Sequence, residues 1–241
     1  MRVTTYQRAG THQHKVEMED RIVLNDNILA SGYHCEENIL SGKFAVFDGV
    51  GGLQGSAFAS KYSADTISKM KLPSTNNEIR FTLEAIHSNL LKYGRVATTA
   101  SGIIWNSENS ILLFHVGNTR ISGLCDGYIR QFTEDMTAVE MLKKQGMDEY
   151  GALIRGGNVL TACLGNRAEL ITPLVVDDFG EDAKRCSKIM LTSDGIHEHV
   201  SIDELEHFLQ SKTSYDSLYS LADLAVKNGS QDDLSVMVID V

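Results

Sequence analysis

Five acidic residues stand at the ends of short apolar runs, the placement a hard metal cation needs. Asp48 closes the run in Phe44-Ala-Val-Phe-Asp48-Gly-Val-Gly-Gly52, and Asp194 closes Ile189-Met-Leu-Thr-Ser-Asp194-Gly195. Asp232 shortly precedes Leu234-Ser-Val-Met-Val-Ile239, while Glu19 and Asp20 immediately precede Arg21-Ile-Val-Leu24. Mg²⁺ and Mn²⁺ take oxygen ligands from a few carboxylates together with water, so four separated strand ends could converge on a two-metal centre. Each piece also has a plainer reading. Asp-Gly is a common hairpin signal, as in Leu124-Cys-Asp126-Gly127-Tyr-Ile129, where it needs no more than a type I′ turn. Glu17 to Asp20 reads equally as a solvated charged run.

The residues after Asp48 separate it from a hairpin. Ala57, Phe58, Ala64, Ile67 and Met70 recur at helical spacing beyond the glycines, which puts Asp48 between a strand and a helix. Two strands, Arg21–Leu24 and Lys43–Phe47, could form a hairpin ahead of it. Two helical patterns come next, Leu53 to Met70 and Ile79 to Leu90, broken at Pro73-Ser74, with Asn76 or Asn77 available as a cap; they should lie together on one face. Short β-rich runs then form an antiparallel meander: Thr98–Trp105, Ser110–Val116, Arg120–Cys125 and Tyr128–Phe132. A short helix over Ala138–Gly146 and strands at Asn158–Cys163, Leu170–Val176 and Lys188–Thr192 complete the middle. The four glycines between Gly146 and Asn158 mark that span as the mobile one. A helix opened by the capping box Ser201-Ile-Asp-Glu204, another ending near Asn228-Gly229, and the strand Leu234–Val241 close the chain. This order does not alternate as βαβ units would. It predicts an α+β fold of two packed antiparallel sheets flanked by pairs of helices, as one domain over residues 1–241.

The composition narrows the function. At 241 residues with 42% hydrophobic, the chain can bury a substantial core, and a net charge of −10 without a Lys/Arg cluster argues against nucleic acid as a partner. No apolar run approaches the ~20 residues that span a bilayer, and no secretory pattern opens the chain, so a cytoplasmic protein without a membrane partner is expected. Cys35, Cys125, Cys163 and Cys186 are widely spaced and read as buried thiols rather than a disulfide or zinc framework. His12-x-His14 and His197-x-His199 lack a His-Glu-x-x-His helix and read as ordinary histidines.

The ordered motifs are specific as a set. Glu-Met-Glu19-Asp20, Val-Phe-Asp48-Gly-Val-Gly-Gly, Thr98-Thr99, Val116-Gly-Asn-Thr-Arg120, Thr133-Glu-Asp135, Asn158-Val-Leu-Thr161-Ala-Cys-Leu-Gly165, Thr192-Ser-Asp194-Gly195 and Gly229-Ser-Gln-Asp232-Asp-Leu-Ser235-Val resemble, across nearly the whole chain, those of the metal-dependent protein phosphatase 2C family. The compact length is similar to its bacterial members. The resemblance implies a binuclear Mn²⁺ or Mg²⁺ centre that hydrolyses phosphoserine and phosphothreonine in proteins by in-line attack of an activated water, opposing a serine/threonine kinase. By the same resemblance Asp48 bridges both metals, Asp194 and Asp232 complete one, Glu19 and the Gly49 carbonyl serve the other, and Asp20 holds water beside them. Physical logic runs the same way: two cations about 3.5–4 Å apart activate a shared water and neutralise phosphoryl charge without a nucleophilic side chain.

Four departures from the family pattern bear on activity. Lys15 stands where the family usually has a phosphate-gripping arginine; it keeps the charge and loses the bidentate fork, which weakens substrate binding, unless it is a plain surface lysine and Arg8 grips instead. Asn118 replaces an aspartate associated with a third metal, so that site should be weak or absent. Val50 excludes the histidine acid of many eukaryotic relatives. Asp233, where an asparagine is general, either supplements the metal set or caps the strand. Lys15 and Asn118 also leave open the alternative of a weak or inactive phosphatase-like module that binds phosphoproteins. Thr98, Thr99, Thr161, Gly165 and Arg120 read as scaffold.

Overall fold

The computed structural model describes residues 1–11, 17–51, 53, 55–106, 110–157, 159–171 and 174–241. Five strands come first: β1 (Arg2–Arg8), β2 (Arg21–Leu24), β3 (Asn27–Leu29), β4 (Gly32–Glu36) and β5 (Gly42–Phe47). Helices α1 (Ser56–Lys69) and α2 (Asn76–Leu90) follow. Then come β6 (Ala97–Thr98), β7 (Ala100–Trp105), β8 (Ile111–Val116), β9 (Arg120–Cys125) and β10 (Tyr128–Gln131). Helices α3 (Ala138–Lys144) and α4 (Glu149–Gly156) lead to β11 (Leu164–Gly165), β12 (Val175–Asp178), α5 (Gly180–Lys184) and β13 (Cys186–Thr192). The last elements are α6 (Asp194–His197), α7 (Ile202–Gln210), α8 (Tyr215–Lys227) and β14 (Leu234–Asp240).

Two six-stranded antiparallel sheets form the body, ordered β10-β9-β13-β14-β1-β4 and β12-β8-β7-β5-β2-β3, with a small pair β11-β6 beside them. Every residue of β5 and β8 is buried because both faces of each strand are covered. Phe44 and Val46 of β5 point between the sheets with Ile103, Leu191 and Met237, while Ala45 and Phe47 point to α1 and α2 with Ile67, Ile79 and Leu83. The other sheet repeats this: Met237 and Ile239 of β14 face inward, and Val236 and Val238 face α7 and α8. Alternation at period two thus feeds three separate apolar layers, giving the α+β sandwich expected.

Several sequence expectations need correction. Arg21–Leu24 and Lys43–Phe47 do pair, but β3 and β4 intervene, so they are not a hairpin. Thr75, not Asn76 or Asn77, caps α2 in a capping box with Glu78. The span from Gly146 carries the helix α4, capped by Asp148 through the Gly151 N–H. No strand covers the described part of 158–163, where Leu160 makes an isolated bridge to Thr137, and strand β12 begins only at Val175. Cys125 and Cys186, opposite each other on β9 and β13, form a disulfide, and Cys35 is only half-buried; Cys163 alone is a buried thiol. Other expectations stand. Asp126 and Gly127 both have positive φ, 54° and 91°, as a type I′ turn requires, and Ser201 with Glu204 forms the capping box of α7.

Candidate functional site

Asp48 emerges where β5 ends and α1 has yet to begin, and its backbone is fixed before its side chain is considered. Its N–H donates to Thr99 Oγ1 at 3.1 Å, and its carbonyl accepts from the Thr98 hydroxyl at 2.8 Å and the Thr99 N–H at 2.8 Å. Thr98 and Thr99 are therefore scaffold in a definite sense: they lock the strand end that carries Asp48. Gly49 bridges Thr98, and a Cβ added there would lie 2.8 Å from the Ser56 backbone and 3.0 Å from Glu19 Cβ. Only glycine lets the Glu19 segment and the start of α1 approach so closely.

Glu19 accepts a short hydrogen bond from the Ser56 hydroxyl at the first turn of α1. Asp20 is 1% exposed, and its Oδ2 has no hydrogen-bond partner among the described residues. Asp194 is the first residue of α6, directly after β13, and its Oδ2 accepts from Asn118 Nδ2 at 3.0 Å. Asp232 is exposed and receives the Asp233 N–H at 2.7 Å.

These carboxylates interact strongly. Burial pushes Asp48 well above the ordinary carboxylate range, and Asp194, Asp20 and Asp232 add to that push. Asp20 is raised to about 7, by burial first and then by Asp233. Asp194 is raised by burial and by Asp232, with the Asn118 hydrogen bond opposing. The hydrogen bond between Asp48 and Asp194 raises the first and lowers the second. Mutual repulsion of this kind is what cations relieve. The donor set, all oxygen and backed by an orphaned buried oxygen on Asp20, fits a hard divalent cation in kind. Among the described residues, however, no three His, Cys, Asp or Glu side chains stand together as a closed metal-holding group.

Asp233 is the residue whose role the sequence left open. It is 1% exposed, its Oδ1 accepts the Gly10 N–H at 2.8 Å, and its Oδ2 accepts the N–H groups of Glu19 at 2.5 Å and Asp20 at 3.3 Å. It clasps the segment that presents Glu19 and Asp20. Its carboxylate next to Asp232 was the visible signal, but three backbone donors cannot be read from a sequence. Arg120 pairs bidentately with Asp135, Nε to Oδ1 at 2.9 Å and Nη2 to Oδ2 at 2.7 Å. His197 is buried, with Nδ1 2.9 Å from the Thr192 hydroxyl. Val50 follows Gly49 and donates its N–H to the Ala97 carbonyl at 3.0 Å. Lys15 and the His12/His14 pair lie outside the described residues.

The chain is similar to bacterial serine/threonine phosphatases. It is 28% identical over 149 residues to the serine/threonine protein phosphatase PstP of Mycobacterium tuberculosis, a match covering 61% of this chain and 28% of that protein. It is 27% identical over 135 residues to a putative protein phosphatase 2C-type protein of Streptococcus pyogenes, covering 55% of this chain and 53% of that one. Its fold superposes on Stp1 of Staphylococcus aureus with a TM-score of 0.80 at 21% identity, covering 99% of this chain and 94% of that chain. The chain spans little more than a quarter of the length of the mycobacterial protein. No family model matches the chain.

Proposed function

We propose that this chain is a member of the phosphatase 2C family and a metal-dependent phosphatase acting on phosphoserine and phosphothreonine in proteins; its fold and its curated relatives support the reading. The observation that carries the reading is the gathering of carboxylates around buried Asp48, whose carboxyl is raised by burial and then by Asp194, Asp20 and Asp232. Such a cluster is unfavourable unless cations sit among its members.

In this reading Asp48, Asp194, Asp232, Glu19 and the Gly49 carbonyl hold two Mn²⁺ or Mg²⁺ ions, which supply Lewis acidity toward a water and toward the phosphoryl oxygens. The chain's own residues do the positioning. Asn118 orients Asp194 by its hydrogen bond, Ser56 orients Glu19, and the free oxygen of Asp20 accepts a hydrogen bond from a water. Asn118 offers a neutral amide oxygen, a poorer ligand for a hard cation than a carboxylate, which argues against a third metal there. Lys15 is the proposed phosphate-binding cation. No carboxylate of the set is replaced, so nothing favours a module that binds phosphoproteins without turnover. The substrate is a phosphoprotein maintained by an opposing kinase, met in the cytoplasm by one catalytic domain.

The test is phosphate release from phosphothreonine peptides and from p-nitrophenyl phosphate with millimolar Mn²⁺. Wild type should turn over both, and Asp48→Asn should lose activity while keeping its circular dichroism spectrum. Full activity in that variant would remove Asp48 from the centre.

A further inference from the structure

The two sheets do not close on each other at every side. Edge strand β10 of one and edge strand β12 of the other flank a cleft of about 770 Å³. Its floor is the layer between the sheets, reached at half-buried Phe132 with Phe179 buried behind it, the two rings meeting edge-on at 4.7 Å. Helix α3 forms one wall.

The rim is acidic out of proportion. Glu134, Asp135, Glu140, Asp177, Asp178 and Asp182 line the cleft against Arg130 and Lys144. Four of these acids have local cations: Arg130 pairs with Asp182, Lys144 with Glu134, Arg120 with Asp135 and Lys143 with Glu140. Asp177 and Asp178, both exposed on β12, have no ion pair among the described residues. The cleft also contains an example of the contact it would make with a cation. Arg130 lies over the Phe132 ring at 5.1 Å while its guanidinium reaches Asp182 at 2.9 Å, combining an aromatic face with a carboxylate.

A short chain of contacts links the cleft to the carboxylate site. Met136 in the lining of the cleft donates its N–H to the Gly117 carbonyl at 2.8 Å, and the next residue, Asn118, touches Asp194. The wall of the cleft is thus two contacts removed from Asp194, through Gly117 and Asn118.

We propose that this cleft binds an arginine- or lysine-bearing segment of the phosphoprotein substrate, with an apolar side chain on the Phe132–Phe179 floor and its cations on Asp177 and Asp178. That the segment belongs to a substrate rests on the function proposed above; its binding to the cleft does not. Charge complementarity selects the occupant: a floor of aromatic rings under an uncompensated acidic rim favours a cationic amphipathic chain and repels an acidic one.

Two measurements on the full chain separate the claims. The first uses an unphosphorylated fluorescent peptide in which arginines flank a leucine, and the same peptide with glutamates, followed by anisotropy with no turnover required. The arginine peptide should bind, weaken with added salt, and weaken about tenfold with Asp177→Lys/Asp178→Asn. Asparagine at 178 keeps an acceptor for the Gly180 N–H that Asp178 now holds. The second compares phosphothreonine peptides carrying the same flanks. KM for the arginine peptide should rise in the double variant with kcat unchanged, and p-nitrophenyl phosphate turnover should not move. Equal binding of both peptides, or equal binding by wild type and variant, would overturn the cleft. Binding as expected without phosphate release would uphold the cleft and overturn the enzyme. Sedimentation showing that the chain pairs with itself through the cleft would overturn the substrate segment as occupant.

Discussion

Asp233→Asn keeps the shape of a side chain while removing its charge and one acceptor oxygen. Three backbone donors now share two oxygens, Gly10 on one and Glu19 with Asp20 on the other. Asparagine can serve one side only, and its amide then points a donor at the N–H groups of the other. A charge-assisted hydrogen bond contributes about 1.5–3 kcal/mol, so losing one and neutralising the rest should cost about 3 kcal/mol. One effect opposes this, since Asp233 also repels Asp20. At pH 6 Asp20, with its pKa raised to about 7, is mostly protonated, so relief of that repulsion is small and the hydrogen bonds decide. Urea unfolding of the metal-free variant at pH 6 should show its midpoint lowered by about 1 M. Calorimetric titration should show weaker Mn²⁺ binding, because Glu19 is no longer held. A wild-type midpoint together with wild-type Mn²⁺ affinity would refute the clasp.

Further outcomes rest on other contacts. Asn118→Asp replaces a donor to Asp194 with a second carboxylate, so the metal-free protein should melt roughly 2–4 °C lower for each kcal/mol of repulsion and recover with Mn²⁺; an unchanged melting temperature would contradict the contact. His197 is held neutral well below the ordinary histidine range, by burial first and then by Arg120. The unfolded chain therefore takes up that proton first, and the stability from His197 is present above about pH 6.5 and falls below it by up to about 1.4 kcal/mol per pH unit. His197→Gln should flatten the dependence of unfolding free energy on pH between about 6.5 and 5, and an unaltered slope would count against it. Denatured without reductant, the protein should offer Cys35 and Cys163 alone to a thiol reagent, and reductant should add Cys125 and Cys186. Closing a loop across a separation of 61 residues should make reduction cost about 4 kcal/mol, read as a lower urea midpoint.

The carboxylates were legible because each sits at a strand end, and strand ends announce themselves by apolar runs stopping at a polar residue. The layered fold was legible from elements that refuse to alternate as βαβ. Strand β1 escaped because Thr4, Thr5 and Gln7 are buried polar residues. Its neighbours β14 and β4 make it a strand, not its own pattern. Helix α4 escaped because its glycines argue for a loop, and only Ala152 and Gly156 are buried. Thr75 could have been found, since Thr75-Asn-Asn-Glu78 has the residue types and spacing of a capping box. The disulfide could not, because it depends on the register of β9 against β13.

Strand β14 lies in the interior of its sheet, between β13 and β1. It is the last of these strands to leave the ribosome, yet the first strand pairs with it along its whole length, from Arg2 against Asp240 to Arg8 against Leu234. Until it arrives, β1 and β13 have no common partner and the inner layer lacks Met237 and Ile239. The same late segment brings Asp232 and the clasp Asp233, so until it has been made the Glu19 limb lacks the Asp233 contacts that seat it, although Ser56 and the pairing of β2 with β5 already hold it in part. Assembly of the site is thus tied to completion of the sheet: a nascent chain that stops short of Asp232 already carries Glu19, Asp20, Asp48 and Asp194 but lacks the Asp233 clasp that seats the first two.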